Sequence, residues 1–299
     1  MSPTVTPAAK KLMVSVRLNE YKLREHNPHI PYTPQEIAEA AAACREAGAC
    51  IVHFHARHPD GSPCFDPEVY AECAARIRER CDILVDVTLG QVNVSGDDQR
   101  LAHVRHMARD ARTRVDFAAV DTGSTNVDAY DAQARRFRST GRAYVNSVAS
   151  CITLIRDMQA AGVRPAVSAW TVPFLRTCDA LIDSDVLQEP VSVQIVLCEG
   201  GIVGGHPGTA KGLQSMVDHL PLHRRIEWTV CCKEGNLFPA AAAAIQMGGH
   251  VAPGIGDYAY PELGYPDNAA LVRQMVALGR AIGREPATPA EARVMLGLD

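Results

Sequence analysis

The sequence predicts an α/β protein of the (β/α)8 TIM barrel class, a single domain over residues 1–299. Three observations predict it: short β-rich runs alternate with longer helical patterns, the runs number eight, and polar residues gather just after them. The runs are Leu12–Leu18, Cys50–His55, Ile83–Val87, Val115–Val120, Pro165–Trp170, Ser192–Leu197, Ile226–Cys232 and His250–Ile255. Eight is the number that closes a barrel. A doubly wound sheet would need the same alternation. However, no GxGxxG follows the first run, and the run Gly201-Ile202-Val203-Gly204-Gly205 follows a late one and opens no dinucleotide fingerprint.

The intervening helices are expected at Thr33–Ala47, Pro67–Arg80, Asp97–Asp110, Asn126–Ser139, Ser147–Ala161, Phe174–Leu181, Thr209–His219 and Ala240–Met247. The first carries the fullest signal, with Thr33 as N-cap, Pro34 at the first helical position, Glu36 closing a capping box and Gly48 ending it. The brief Ala143–Val145 run is expected to lead into the next helix rather than add a ninth barrel strand.

Composition narrows the function. Hydrophobic residues are 47% of the chain and charged ones 21%, enough to bury a large core. A net charge of −4 gives no global footprint for nucleic acid, so a small or medium-sized ligand is expected. Residues 1–10 hold no apolar segment behind a basic one, and no run approaches 18 apolar residues. A cytoplasmic protein without a membrane partner is expected. The ten cysteines are read as reduced, mostly buried thiols, with Cys231-Cys232 as strand residues.

Chemistry on a barrel sits at the carboxyl ends of its strands. There the sequence places Asn19-Glu20, then His53 and His55, then Asp86 and Thr88, then Asp121-Thr122-Gly123-Ser124, and later Glu199, Lys233-Glu234 and Asp257. The sharpest feature is Ile51-Val52-His53-Phe54-His55-Ala56-Arg57. Histidines at i and i+2 of a strand project to one side, so both can offer a ring nitrogen to one cation at about 2.0–2.1 Å. Two neutral imidazoles need a further ligand, and Glu20, Glu234 and Asp257 are the candidates. Gln91, Trp170 and Tyr258 are candidates for pocket walls.

At these residues the sequence resembles the β-keto acid cleavage enzymes. The resemblance rests on Pro31-Tyr32-Thr33-Pro34-Gln35-Glu36-Ile37-Ala38, on His53-Phe54-His55-Ala56-Arg57 with Pro59-Asp60-Gly61 behind it, and on Asp121-Thr122-Gly123-Ser124. It continues through Gly162-Val163-Arg164-Pro165, Gly248-Gly249-His250-Val251 and Asp267-Asn268-Ala269-Ala270-Leu271-Val272. It implies a zinc-dependent barrel, forming a homo-oligomer, that condenses a β-keto acid with acetyl-CoA and releases acetoacetate and a new acyl-CoA. It further implies that His53 and His55 hold the metal, that Asp257 and Glu20 are catalytic, and that Thr122 and Ser124 bind substrate.

Two departures qualify that picture. The family pattern after Gly-Gly-His-Val carries an arginine and then a glutamate beside the catalytic aspartate, where this chain reads Ala252-Pro253-Gly254-Ile255-Gly256-Asp257. Glycine coordinates nothing, so the third ligand must come from elsewhere. Glu234, at the end of the neighbouring strand, is the expected replacement. Lys233 is the nearest replacement for the arginine, as a catalytic cation, with Arg57 as a substrate-binding one and Arg17 as another option. Two alternatives stay open: a metal-dependent aldolase or hydrolase on the same barrel, and a non-catalytic metal- or ligand-binding member of the family.

Overall fold

The computed structural model describes residues 10–90 and 96–298. Eight parallel strands form one sheet in chain order: β1 (Ser15–Arg17), β2 (Ile51–Phe54), β3 (Leu84–Val87), β4 (Phe117–Asp121), β5 (Arg164–Ala169), β6 (Val191–Cys198), β7 (Ile226–Lys233) and β8 (His250–Val251). A parallel bridge between Val14 and Val251 joins the last strand to the first. The fold is a (β/α)8 TIM barrel, and each of the eight expected runs contains or overlaps one of these strands.

Helices α1 (Pro34–Ala47), α2 (Pro67–Arg80), α3 (Asp97–Met107), α4 (Val148–Ala160), α5 (Val172–Asp183), α6 (Ala210–Val217), α7 (Phe238–Gln246), α8 (Asn268–Ala281) and α9 (Pro289–Leu296) follow the strands. The α1 capping box forms as expected, and Gly48 closes the helix in the left-handed region at φ 110°. The sequence reading did not assign α8 and α9, although Thr288 and Glu291 form a second capping box. All ten cysteines are free and nine are buried. Among the described residues no helix is long and apolar enough to cross a membrane.

The helix expected over Asn126–Ser139 does not form. Two antiparallel ribbons replace it, Thr125–Asn126 with Ala143–Tyr144 and Tyr130–Asp131 with Arg136–Phe137. Alanine, glutamine and arginine favour a helix locally, but Asp131 Oδ1 captures the amides of Gln133 and Ala134, and Arg135 takes φ 50° to close the turn. Side-chain turn chemistry thus overrides helix propensity. The Ala143–Val145 run contributes to a ribbon before α4 begins, and adds no barrel strand.

Register positions the chemistry. Arg17 pairs with His53 between β1 and β2, and His53 with Asp86 between β2 and β3, so three polar residues occupy one row at the carboxyl end. Partners in parallel strands project to the same side of the sheet. The row's strand neighbours Val16, Val52 and Val85 project to the other face and belong, with Val120, Val167, Ile195 and Val230, to the main apolar core.

Two buried histidines outside this row tie stability to pH. His103 bonds through Nε2 to the Thr88 carbonyl at 2.8 Å, while His250 accepts from the Met13 amide at 2.9 Å and meets Glu227 at 2.9 Å. Burial pushes both down to about 4, against the opposing pull of those acceptors. The unfolded chain therefore takes up protons below pH 6.5 that the folded one refuses until about pH 4, so stability falls as pH drops through this window. At pH 5 each histidine should cost about 2 kcal/mol relative to neutral pH. Thermal unfolding at pH 7 and pH 5 checks this; an unchanged Tm would contradict it.

Candidate active site and metal centre

The site is built from the ends of β1, β2, β3, β7 and β8. Glu20 lies in the loop after β1 at φ 23°, a conformation that side-chain-bearing residues rarely hold. Two contacts hold it there. Arg57 spans the loop, donating to the Asn19 carbonyl at 2.5 Å, to that of Glu20, and to that of Lys22 at 3.2 Å. On the other side the loop rests on Gly256, where a Cβ would stand 2.6 Å from the Glu20 amide nitrogen and 2.8 Å from Asn19. Glycine at 256 therefore makes room for the loop that delivers Glu20. Gly256→Ala should cost about 1–3 kcal/mol by overpacking, read by denaturant unfolding; an equally stable variant would show that the loop yields freely.

The Glu20 carboxylate faces both histidines. Oε1 lies 3.2 Å from His53 Nε2, and Oε2 lies 3.2 Å from His55 Nε2. All three residues are buried, and their ligand atoms lie within 4.8 Å of one another. Among the described residues this is the group whose atoms converge as metal ligands. His53 Nε2 and Glu20 Oε1 are buried without a hydrogen-bond partner, although Oε1 pairs with the Arg17 guanidinium at 2.5 Å. A buried imidazole nitrogen is rarely left so, and a cation between His53 Nε2 and the Glu20 carboxylate would satisfy it. The residues present therefore fit a divalent metal.

Around the trio the histidines are oriented. His53 Nδ1 meets Asp86 Oδ2 at 2.7 Å, which leaves Nε2 turned to the trio in the carboxylate–histidine arrangement common to metal sites. The Asn19 amide bonds the His55 backbone on both sides, at 2.9 Å each. Burial pushes His55 down to about 4 against the pull of Glu20, so it is neutral and able to ligate near pH 7. Burial would raise Glu20, but Arg17 and Lys233 outweigh it and hold the carboxyl well below its usual range.

Lys233 Nζ stands between two acids, 3.1 Å from Asp257 Oδ1 and 3.2 Å from Glu20 Oε2. Burial opposes its charge, but Asp257 and Glu20 prevail and keep it an ammonium. Arg17 holds the other Asp257 oxygen at 2.7 Å and reaches Gln194 at 3.1 Å. Two anions and two cations thus interlock beside the trio. Glu20, Lys233 and Asp257 line a cavity of about 600 Å³ whose walls include Tyr21, Tyr144 and Trp170.

Several expected site residues lie elsewhere. Glu234 is not brought to the histidines: at φ 60° its side chain turns to the rim, 41% exposed, and pairs with Lys22 at 2.6 Å. Thr122 gives its hydroxyl to the Phe174 carbonyl at 2.9 Å, and Ser124 bonds the Asn146 backbone, so both brace loops. Arg57 supports the Glu20 loop with the contacts described above. Trp170 lines the cavity, Tyr258 pairs with Glu262 at 3.1 Å, and Gln91 lies outside the described residues. The sequence reading gave Asp86 no role; its register with His53 on the next strand was the available signal.

Comparison with known proteins agrees with this architecture. The chain is 31% identical over 278 residues to a 3-keto-5-aminohexanoate cleavage enzyme of Acetoanaerobium sticklandii, covering 92% of this chain and 93% of that one. It is 28% identical to a 3,5-dioxohexanoate:acetyl-CoA acetone transferase of Paraburkholderia graminis, over 91% and 90% of the two chains. Among solved structures, ObcA in binary complex with oxaloacetate superposes with a TM-score of 0.66 at 16% identity, over 90% of this chain and 67% of that one, a likeness of fold. The sequence profile of the beta-keto acid cleavage enzymes matches residues 11–298, and the chain belongs to that family.

Proposed function

We propose that this chain cleaves a β-keto acid with acetyl-CoA as co-substrate, releasing acetoacetate and a new acyl-CoA, at a metal site formed by His53, His55 and Glu20. The observation that carries the proposal is the buried His53–His55–Glu20 trio, in which His53 Nε2 lacks a hydrogen bond, set against the Lys233–Asp257 pair. Two imidazoles and one carboxylate with a position left for substrate suit zinc. Bound there, the metal supplies Lewis-acid polarisation of the keto oxygen. The relatives' names support acetyl-CoA as co-substrate, since one of them is named a 3,5-dioxohexanoate:acetyl-CoA acetone transferase.

The chain's own residues divide the remaining work. Asp257, held by Arg17 and Lys233, is placed to accept the α-proton of the keto acid. The Lys233 ammonium stands where negative charge then develops, in place of the planar fork an arginine would present. Asp86 orients His53, and Arg57 with Gly256 fixes the Glu20 loop. Trp170, which donates to Asp121 at 2.8 Å, forms a firm apolar wall above Lys233.

The test is to supply purified protein with acetyl-CoA and a panel of short β-keto acids, before and after chelation and zinc restoration. Acetoacetate and a new thioester should appear by mass spectrometry and depend on the metal. A metal-loaded protein silent across a broad panel, or turnover indifferent to chelation, would refute the proposal.

A further inference from the structure

We infer that the arginine-rich hairpin segment, residues 125–144, binds the phosphate groups of the CoA co-substrate; this rests on the acetyl-CoA reading above. Four arginines fall within eight residues, at 135, 136, 138 and 142. All four are exposed, and among the described residues none forms an ion pair. The segment holds only two aspartates against these four arginines, Asp128, which feels the charge of Arg142, and Asp131, which pairs in register with Arg136. Asp128 accepts from the Ser139 hydroxyl at 2.6 Å and the Arg142 amide at 3.1 Å, and Asp131 caps its own turn. The hairpin therefore carries a net excess of exposed guanidinium charge, the group best matched to phosphate oxygens, with Arg138 also donating to the Gly200 carbonyl.

Its placement makes the charge specific. Arg138 and Arg142 line the same cavity as Glu20, Lys233 and Asp257, with the Lys22–Glu234 ion pair also on its wall. A thioester reacting beside Lys233 would leave its polyanionic end to reach the cationic rim. Close by, Phe137 and Tyr130 form an exposed edge-on pair at 5.2 Å, an aromatic surface for a nucleobase.

The hairpin is also held firmly, as a preorganised anion site requires. Tyr130 donates to Gly201 at 2.8 Å, and Val203 donates to Asp128 at 3.2 Å. A Cβ at Gly201 would stand 2.0 Å from the Tyr130 oxygen, and one at Gly204 1.8 Å from that of Asn126. The Gly201-Ile202-Val203-Gly204-Gly205 run, which carries no dinucleotide fingerprint, is thus the bed on which the hairpin lies.

The test measures binding of CoA, 3′-dephospho-CoA and pantetheine by calorimetry to the intact protein and to an Arg138→Gln/Arg142→Gln variant. Both arginines are exposed, so matching thermal unfolding curves confirm an intact fold. The variant should bind CoA at least about 10-fold more weakly, with a shallower salt dependence and no loss for pantetheine. Equal CoA affinity in both proteins, or native protein that does not distinguish CoA from pantetheine, overturns the inference. So does tighter binding of a single-stranded oligonucleotide than of CoA. Cleavage of β-keto acid with identical acetyl-CoA KM in both proteins removes the hairpin's role and leaves the reaction standing. Arginine-dependent CoA binding without turnover of any β-keto acid supports the hairpin and removes the reaction.

Discussion

Glu20→Gln is expected to strip the protein of its metal, weakening affinity by at least about 100-fold, since even partners beyond the ligands are worth roughly 10–100-fold. Glutamine keeps the shape but removes the negative charge of a carboxylate whose two oxygens each face one imidazole at 3.2 Å, Oε1 to His53 and Oε2 to His55. It also leaves Arg17 and Lys233, buried beside that carboxylate, short of one counter-charge. Elemental analysis and competition with a chromogenic chelator read the outcome. Glu234→Gln is the matched control. Glu234 pairs with Lys22 at the rim, and its loss should leave stoichiometric metal. Metal retained in Glu20→Gln and lost in Glu234→Gln would restore Glu234 as the third ligand.

That pair of variants marks where sequence reasoning stops. Eight β-rich runs, seven of them with polar residues at or just behind their ends, announce the barrel because strand period and strand-end polarity are local properties. The histidine pair is equally local, two residues apart on one strand. Glu20 and Glu234, however, each follow a strand directly, and nothing in spacing tells which turns inward. The choice is made by loop trajectory: the Arg57 clamp, the positive φ at Glu20 and the bare Cα of Gly256. Gly256 appears in the sequence as a vacated ligand position, whereas in space its bare Cα makes room for the Asn19–Glu20 backbone that carries another carboxylate. The hairpin over residues 125–144 was missed for a related reason, since its stability comes from Asp131 turn bonds and from pairing with the Gly201 loop rather than from residue propensity.

Asp257→Asn should separate metal binding from chemistry. The metal trio does not include Asp257, so the variant should load metal fully, and asparagine can still accept from Lys233 or Arg17 through its one carbonyl oxygen. It cannot take a proton from carbon, and turnover should fall by about 10²–10⁴-fold, the usual worth of a positioned base. Lys233→Ala provides the contrast. It removes the charge opposite the developing anion but leaves the base, so it should raise the KM for keto acid as well as lower kcat. Enzyme-dependent exchange of the keto acid's α-hydrogen for solvent deuterium, followed without acetyl-CoA, distinguishes the two. Exchange should vanish in Asp257→Asn and persist at a reduced rate in Lys233→Ala. Persistence in both would move the base away from β8, and the Arg17–Asp257–Lys233 arrangement would then serve to hold the carboxyl ends of β1, β7 and β8 together.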